Sequence, residues 1–173
     1  MGRGFTMNNY ITWKYREEEV SEAKVVELGQ QLGFQLPQDY IDCVKVNGGA
    51  SVEPESFMAG TIERCFGGLF RYDDEENVDY IVKVYEDYQP SLPEKIFPFA
   101  DDPAGNLICF DYSSSETNPF IVFWDHEGAW EKEAIMEEEG LTSEEAEVYM
   151  REQLTYVAAS FTELLESLRD SEG

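Results

Sequence analysis

The chain has 173 residues, enough for one domain whose hydrophobic core needs no disulfide or metal. Its net charge of −25 and its pI near 4.1 disfavour nucleic acid and anionic membranes as direct partners, since both would repel it. The 42% hydrophobic and 14% aromatic content excludes a disordered chain.

The first residues are set apart from the predicted fold. Residues 1–7 are predicted to be disordered or a cloning remnant, and residues 8–173 to form a single domain. Gly2 and Thr6 fit a loose myristoylation pattern, which we interpret as a chance match.

Two elements are predicted at the start of the domain. Residues 8–15 fit either a strand or a loop, and in both cases Tyr10, Trp13 and Tyr15 would lie on the core. From Glu17 to Gln31, apolar residues recur at helical spacing, with acidic residues in the first turn and a glycine after the last. This second pattern predicts an amphipathic helix.

The stretch LPQDYIDCVKVNGG, residues 36–49, carries signals for both ends of a second helix. Pro37 suits the first helical position, because the N–H of that position has no partner within the helix. Asp39 lies in the first turn, where a carboxylate favours the positive end of the helix dipole. Asn47 and the two glycines after it predict the end of the helix, because glycine adopts the left-handed conformation without strain.

Weaker elements are predicted up to Pro90. Residues 50–58 fit a loop with a short strand near Val52, and residues 61–72 fit a strand interrupted by a bend at two glycines. Asn77 is then predicted to cap a third helix. The apolar stripe of that helix comprises Val78, Ile81, Val82, Tyr85 and Tyr88.

Three strands are predicted in succession in the middle of the chain, at residues 95–101, 106–112 and 119–126. The first two are joined by a polar turn and favour an antiparallel pair. With residues 61–72 they predict an α+β fold, built on an antiparallel sheet of about four to six strands.

The C-terminal region predicts the longest helix. Thr142 and Glu145 fit a capping box, and Leu141 and Ala146 fit the accompanying hydrophobic staple. Apolar residues then repeat at steps of four and three, which predicts a helix over residues 144–168 that kinks or projects at one end. This helix and those near 18–32 and 37–47 are expected to pack on one face of the sheet.

The order and spacing of several short motifs resemble the SUKH superfamily, whose best-known branch contains the Smi/Knr-type cell-wall assembly regulators. The motifs are LPQDY at 36–40, NGG at 47–49, PFADDPAGNLICFD at 98–111, PFIVFWDHE at 119–127 and VAASFTELLESL at 157–168. The resemblance implies a SUKH-like fold. For bacterial members it implies an immunity protein that binds and neutralises a toxin, often a nuclease. The fungal branch suggests an alternative, an intracellular regulatory scaffold that binds signalling enzymes.

No catalytic, cofactor-binding or metal site is predicted, and the protein is not expected to be an enzyme. The single histidine, His126, has no serine or cysteine at a spacing that would define a triad. Asp101, Asp102, Asp111 and Asp125 lie near strand ends and could converge on a divalent ion, which makes a carboxylate-dependent metal enzyme a weaker alternative. Turn hydrogen bonds are the favoured role for these side chains.

The cysteines and the lack of targeting signals predict a cytoplasmic protein. Cys43, Cys65 and Cys109 are odd in number, have no metal-ligand spacing and lie beside apolar residues, so they are interpreted as small buried hydrophobes. The sequence has no signal-peptide pattern and no apolar run of transmembrane length.

The acidic surface either serves solubility alone or matches a basic protein partner, such as a toxin domain, bound by a monomer or weak homodimer. Residues 127–173 hold 14 acidic residues against three basic ones, a net charge of −11. Residues 127–140 form a longer segment than is usual at this position in the SUKH superfamily. We therefore expect the residues that select this protein's own partner to lie there. The partner-binding residues predicted from local charge density are Asp73, Asp74, Glu75, Glu76, Glu116, Glu137, Glu138, Glu139, Glu144, Glu145 and Glu147. The aromatic side chains of Phe120, Phe123, Trp124 and Trp130 are interpreted as core in preference to a binding patch.

Overall fold

The computed structural model describes residues 10–171, so the predictions for residues 1–7 lie outside the described part of the chain. The strands are β1 (Thr12–Lys14), β2 (Ser51–Glu53), β3 (Ser56–Ala59), β4 (Ile62–Cys65), β5 (Gly68–Leu69), β6 (Ile96–Asp101), β7 (Leu107–Asp111), β8 (Phe120–Trp124) and β9 (Leu154–Ala158). The helices are α1 (Glu22–Gln31), α2 (Gln38–Asn47), α3 (Ile81–Tyr88), α4 (Lys132–Glu139), α5 (Ser143–Arg151) and α6 (Phe161–Ser167).

Five strands form one antiparallel sheet in the order β9-β8-β7-β6-β5. Phe110 of β7 lies opposite Phe97 of β6 and Ile121 of β8, so one face of the sheet is lined by large apolar side chains. The α+β class and the predicted sheet are confirmed. The three central strands lie where the sequence predicted them.

The region predicted as one interrupted strand at residues 61–72 contributes to two different sheets. β4 pairs with β3 in a two-stranded hairpin, whereas β5 pairs with β6 in the main sheet. The chain changes direction at Gly67, where an added Cβ would lie 2.5 Å from Oδ1 of Asp101. Only glycine therefore allows this close approach of the two segments.

Within the stretch 8–15, of which residues 10–15 are described, β1 is a strand that pairs with β2, so the strand alternative holds there. Trp13 packs edge-on against Phe66, with ring centroids 6.0 Å apart, and lies on the core as predicted. Tyr10 and Tyr15 are exposed, so their predicted burial is wrong. β2 confirms the strand expected near Val52.

Helices cover both faces of the main sheet. The ring of Tyr40 in α2 contacts Phe110 and Phe161, which places α2 and α6 on the same face, as expected. Side chains alternate along a strand, so Trp124 lies on the opposite face from Ile121, the register partner of Phe110. Tyr88 of α3 packs edge-on against Trp124, whereas Tyr85 of the same helix stacks on Phe97, the register partner of Phe110. α3 therefore contacts side chains of both faces.

The predicted helix starts need correction at three points. α1 begins at Glu22 rather than near residue 17, because the Ser21 hydroxyl caps the helix by accepting the Lys24 N–H. Pro37 is the residue before α2 rather than its first residue. α3 begins at Ile81, since Asn77 caps a turn by accepting the Asp79 N–H at 2.8 Å and leaves Val78 exposed.

The long helix predicted over residues 144–168 is wrong. The chain forms α5, then strand β9, then α6. Leu154 pairs with Trp124 and Tyr156 with Val122, so β9 satisfies the hydrogen-bonding edge of β8. This strand pairing replaces the helical hydrogen bonds that the periodicity predicted.

The cysteines are free thiols, as expected. Cys109 is fully buried in β7, which confirms its predicted role as a small core residue, whereas Cys43 and Cys65 are only partly buried. Burial raises the pKa of the Cys43 thiol to about 12, so this thiol stays protonated at neutral pH.

Asp101, the last residue of β6, is an acid held in an unfavourable environment. Its Oδ1 accepts the Gly68 N–H at 2.9 Å beside the Gly67 bend. Burial raises the pKa of Asp101 to about 6, and the nearby carboxylates of Asp79 and Asp102 act in the same direction. Compared with the unfolded chain, the folded protein therefore binds a proton at Asp101 more tightly.

This pKa predicts a pH-dependent stability that Asp101→Asn should remove. Because the pKa of Asp101 is higher in the folded than in the unfolded state, protonation of this side chain stabilises the fold. The stabilisation is complete below pH 3.8, the ordinary pKa, and is lost as the pH rises through about 6. We expect Asp101→Asn to be more stable than the wild type at pH 7.5, with a difference that shrinks towards pH 4. Urea unfolding of both proteins across this pH range measures the stability difference. A difference that does not change with pH would contradict a raised pKa at Asp101.

Candidate partner-binding surface

α4 and α5 form a helical hairpin, residues 131–151, which we call the acidic hairpin. α4 ends at Gly140, whose φ of +66° continues the chain in the left-handed conformation. The Thr142 hydroxyl then accepts the Glu145 N–H at 3.2 Å, and the Glu145 carboxylate accepts the Thr142 N–H at 2.9 Å. The predicted capping box is confirmed.

The acidic hairpin has a small core of its own. Ile135 of α4 and Ala146 and Met150 of α5 are buried together, with Leu141 packed against them. This cluster is separate from the main core. The contact of Leu141 with it agrees with the predicted staple.

An ion pair between a buried carboxylate and a partly exposed arginine fixes the acidic hairpin to the sheet. Asp111, fully buried in β7, accepts a hydrogen bond from Arg151 Nη2 at 2.5 Å, and Arg151 lies in the last turn of α5. Glu147 accepts the backbone N–H of Glu94 at 2.6 Å and lies 3.6 Å from Lys132 Nζ. The position of α5 is therefore set by charged side chains and not by the main core.

Four of the predicted partner-binding acids form one exposed group on the acidic hairpin. Glu137, Glu138 and Glu139 occupy the last turn of α4, and Glu144 occupies the first turn of α5. No ion pair or hydrogen bond joins these carboxylates to another residue within 10–171. Their charges are available to a partner.

Other predicted acids have structural roles. Glu145 belongs to the capping box, and Glu147 holds the hairpin to residue 94. Arg71 binds Asp73 through two hydrogen bonds, of 2.9 and 3.0 Å, and this guanidinium lowers the pKa of Asp73. Asp74 lies 3.9 Å from the same arginine and accepts the N–H of Glu76.

The remaining predicted acids lie on other elements. Glu75 and Glu76 are exposed in the turn before α3, and Glu116 is exposed in the loop between β7 and β8. Glu116 borders a cleft that Lys95 also lines. Neither the pair Glu75 and Glu76 nor Glu116 belongs to the acidic hairpin.

The acidic hairpin also exposes apolar side chains that sequence reasoning did not assign to a surface. Trp130 is 59% exposed, Val148 68% and Tyr149 39%. Trp130 was predicted to be core, which is wrong, while Phe123 and Trp124 are buried as predicted. A signal existed for Val148, which lies two residues from both Ala146 and Met150 and so off the apolar stripe of α5.

Trp130 and Tyr149 border a cleft of about 330 Å³ between α4 and α5, which we call the hairpin cleft. Its lining comprises Trp130, Ala134, Ile135, Glu138, Glu139 and Tyr149. A protein interface typically has an aromatic or aliphatic centre and a polar rim. The acidic hairpin has this arrangement, with carboxylates as the rim.

The profile of the SMI1 / KNR4 family (SUKH-1) matches residues 19–167. The chain belongs to this family. It is also 28% identical over 120 residues to the SPbeta prophage-derived uncharacterized protein YokK of Bacillus subtilis (strain 168). That alignment covers 58% of this chain and 59% of the relative, so less than two thirds of the relative's length is matched. No solved structure matches the chain.

The SUKH-1 match includes the whole main sheet and the acidic hairpin. It also includes the strand-end carboxylates, which the fold uses in turns. Asp102 accepts the N–H groups of Ala104 and Asn106 and the Asn106 amide, and His126 donates to Asn106 at 2.6 Å through Nδ1. Within residues 10–171, no group of three or more His, Cys, Asp or Glu side chains is placed to hold a metal ion.

The other two carboxylates have different partners. Asp111 binds Arg151, and Asp125 accepts the Glu127 N–H and lies 3.5 Å from Arg64. Of the helices in the described part of this SUKH-1 chain, none has the length and apolar character needed to cross a membrane.

The buried pair predicts that Arg151→Gln destabilises the fold by about 2–4 kcal/mol, because it leaves the Asp111 carboxylate buried without its cation. Urea unfolding measures the loss. The double variant Asp111→Asn/Arg151→Gln should recover much of it, since no charge then remains buried. Arg16→Gln, at an exposed arginine, is the matched control and should have little effect. Equal losses in the single and double variants would show that the charge is not the cause.

Proposed function

We propose that this protein is an immunity protein, or antitoxin, that binds and neutralises a cognate bacterial toxin by covering it with the acidic hairpin. The toxin is a basic domain, and a nuclease is the class that the charge fits best. The protein acts as a monomer or weak homodimer, carries out no reaction and uses no cofactor. It works in the cytoplasm, where free thiols remain reduced.

Family membership is the first support for this proposal. Immunity to toxins delivered between neighbouring cells is a role of bacterial SUKH proteins, and the SUKH-1 profile matches most of this chain. Binding alone suffices for that role, because an occluded toxin cannot reach its substrate. The described carboxylates near strand ends serve the fold, which agrees with a protein that acts by binding.

The unpaired acids of the hairpin are the observation that carries the proposal. A nuclease presents a basic groove shaped for phosphates, and the group formed by Glu137, Glu138, Glu139 and Glu144 offers the complementary charge. The capping box and the Asp111–Arg151 pair hold the backbone that carries this group in place, so the hairpin itself need not be ordered on binding. Such complementarity raises association rates by about 10- to 1000-fold at low salt.

Co-expression with the product of the neighbouring gene tests the function. A large gene beside this one that encodes a basic C-terminal toxin domain is the expected source of the partner. We expect that domain to arrest growth when expressed alone, and this protein to restore growth and to form a stable complex with it. Arrest that persists despite a folded, co-expressed protein would contradict the proposal for that toxin.

Charge reversal in the acidic hairpin should slow binding to this toxin. Replacing Glu137, Glu138 and Glu139 by lysine is expected to lower the association rate by about tenfold or more at low salt, and to flatten its salt dependence. Stopped-flow or surface-based kinetics at several salt concentrations measure both effects.

The matched control reverses the same number of exposed acids elsewhere, at Glu18, Glu19 and Glu27. This control changes the net charge equally but leaves the acidic hairpin intact. If both triple variants slow association to the same degree, total charge steers the encounter and the hairpin is not the docking surface.

A further inference from the structure

The hairpin cleft combines three features in one place. Its floor is the buried side chain of Ile135, and its walls include the exposed aromatic rings of Trp130 and Tyr149. Glu138 and Glu139 border the same space, and within residues 10–171 neither carboxylate has an ion-pair partner. Exposed aromatic rings mark an interaction site, and the unpaired carboxylates beside them favour a partner group that carries a positive charge.

The cations on the hairpin itself do not serve the cleft. Lys132 lies 3.6 Å from Glu147, outside the cleft lining, and Arg151 is bound to Asp111. A second copy of this chain is an unsuitable occupant, because its net charge of −25 would be repelled. Charge complementarity therefore points to a cationic group from a different protein.

We propose that the hairpin cleft receives an arginine side chain of the basic partner, an inference that rests on the proposed function. The arginine stem packs over Ile135 and Ala134, and the planar guanidinium stacks on the ring of Trp130, with Tyr149 of α5 bordering the same cleft. Its N–H groups donate to the carboxylates of Glu138 and Glu139. Lysine fits less well, because its ammonium is strongly hydrated and neither stacks as a plane nor forms a two-pronged hydrogen bond.

Peptide titration tests the chemistry of the cleft without the toxin. The probes are acetylated and amidated Gly-Arg-Arg-Gly, its lysine analogue and its citrulline analogue, which keeps the shape of arginine without the charge. Two-dimensional ¹H–¹⁵N NMR follows the backbone amides and the three tryptophan indole signals. The Trp130 signal is assigned by its loss in Trp130→Phe.

We expect the arginine peptide to shift the Trp130 indole and the amides of α4 and α5. It should bind at least threefold more tightly than the lysine peptide, and the citrulline peptide should not bind. Trp130→Ala and the double variant Glu138→Gln/Glu139→Gln should each weaken binding at least fivefold, whereas Trp130→Phe should retain part of it. Glu18→Gln/Glu19→Gln, the control, should change it less than twofold.

Three outcomes would overturn the inference: equal affinity for the arginine and lysine peptides, shifts away from the hairpin cleft, or no effect of Trp130→Ala in a protein with an unchanged urea midpoint. The toxin separates this inference from the proposed function. If Trp130→Ala binds the toxin as tightly as the wild type does, the cleft assignment fails and the immunity function stands. If no toxin is neutralised, the function fails and the peptide result still decides what the cleft binds.

Discussion

A single buried carboxylate determines where the acidic surface lies. Asp111 is fully enclosed in the central strand β7, where an unpaired charge is costly, so the last turn of α5 must stay close enough for Arg151 to reach it. Helices of eight and nine residues are not stable alone in water, and the hairpin has only a small core. The rigid display of its glutamates therefore depends on attachment to the sheet.

The acidic residues of this chain divide into those that build the fold and those that remain available. Asp102 closes the turn between β6 and β7, Asp73 is held by Arg71, and Glu145 caps α5. Glu137 and Glu144 have no such partner within the described residues. Charge density along the sequence cannot separate these groups, because it ignores the local turn and cap partners of Asp102, Asp73 and Glu145, which lie two to four residues away. It also ignores the contact of Glu147 with the backbone of residue 94, which only the tertiary fold creates.

Local signals predicted the central strands and the capping box, since both depend on neighbouring residues. The helix expected over 144–168 was wrong because its apolar spacing also fits a strand between two helices. Two features indicated the break: β-branched and aromatic residues in β9, and Ser160, which caps α6 by accepting the Glu163 N–H. For the surface, the sequence identified the exposed glutamates but placed Trp130 in the core. Trp130 lies just before α4, and whether a side chain there is exposed depends on how distant segments pack.

The charged and aromatic parts of the hairpin act at different stages of binding. Carboxylates attract a cationic protein over distances comparable to the Debye length, about 8 Å at physiological ionic strength, and so affect the association rate. They would attract many basic proteins. Selectivity must come from contacts made after encounter, for which Trp130 and Tyr149 are placed. Since these rings line a cleft beside Ile135, which belongs to a core separate from that of the sheet, substitutions in the hairpin cleft can change the partner while the SUKH-1 fold stays intact.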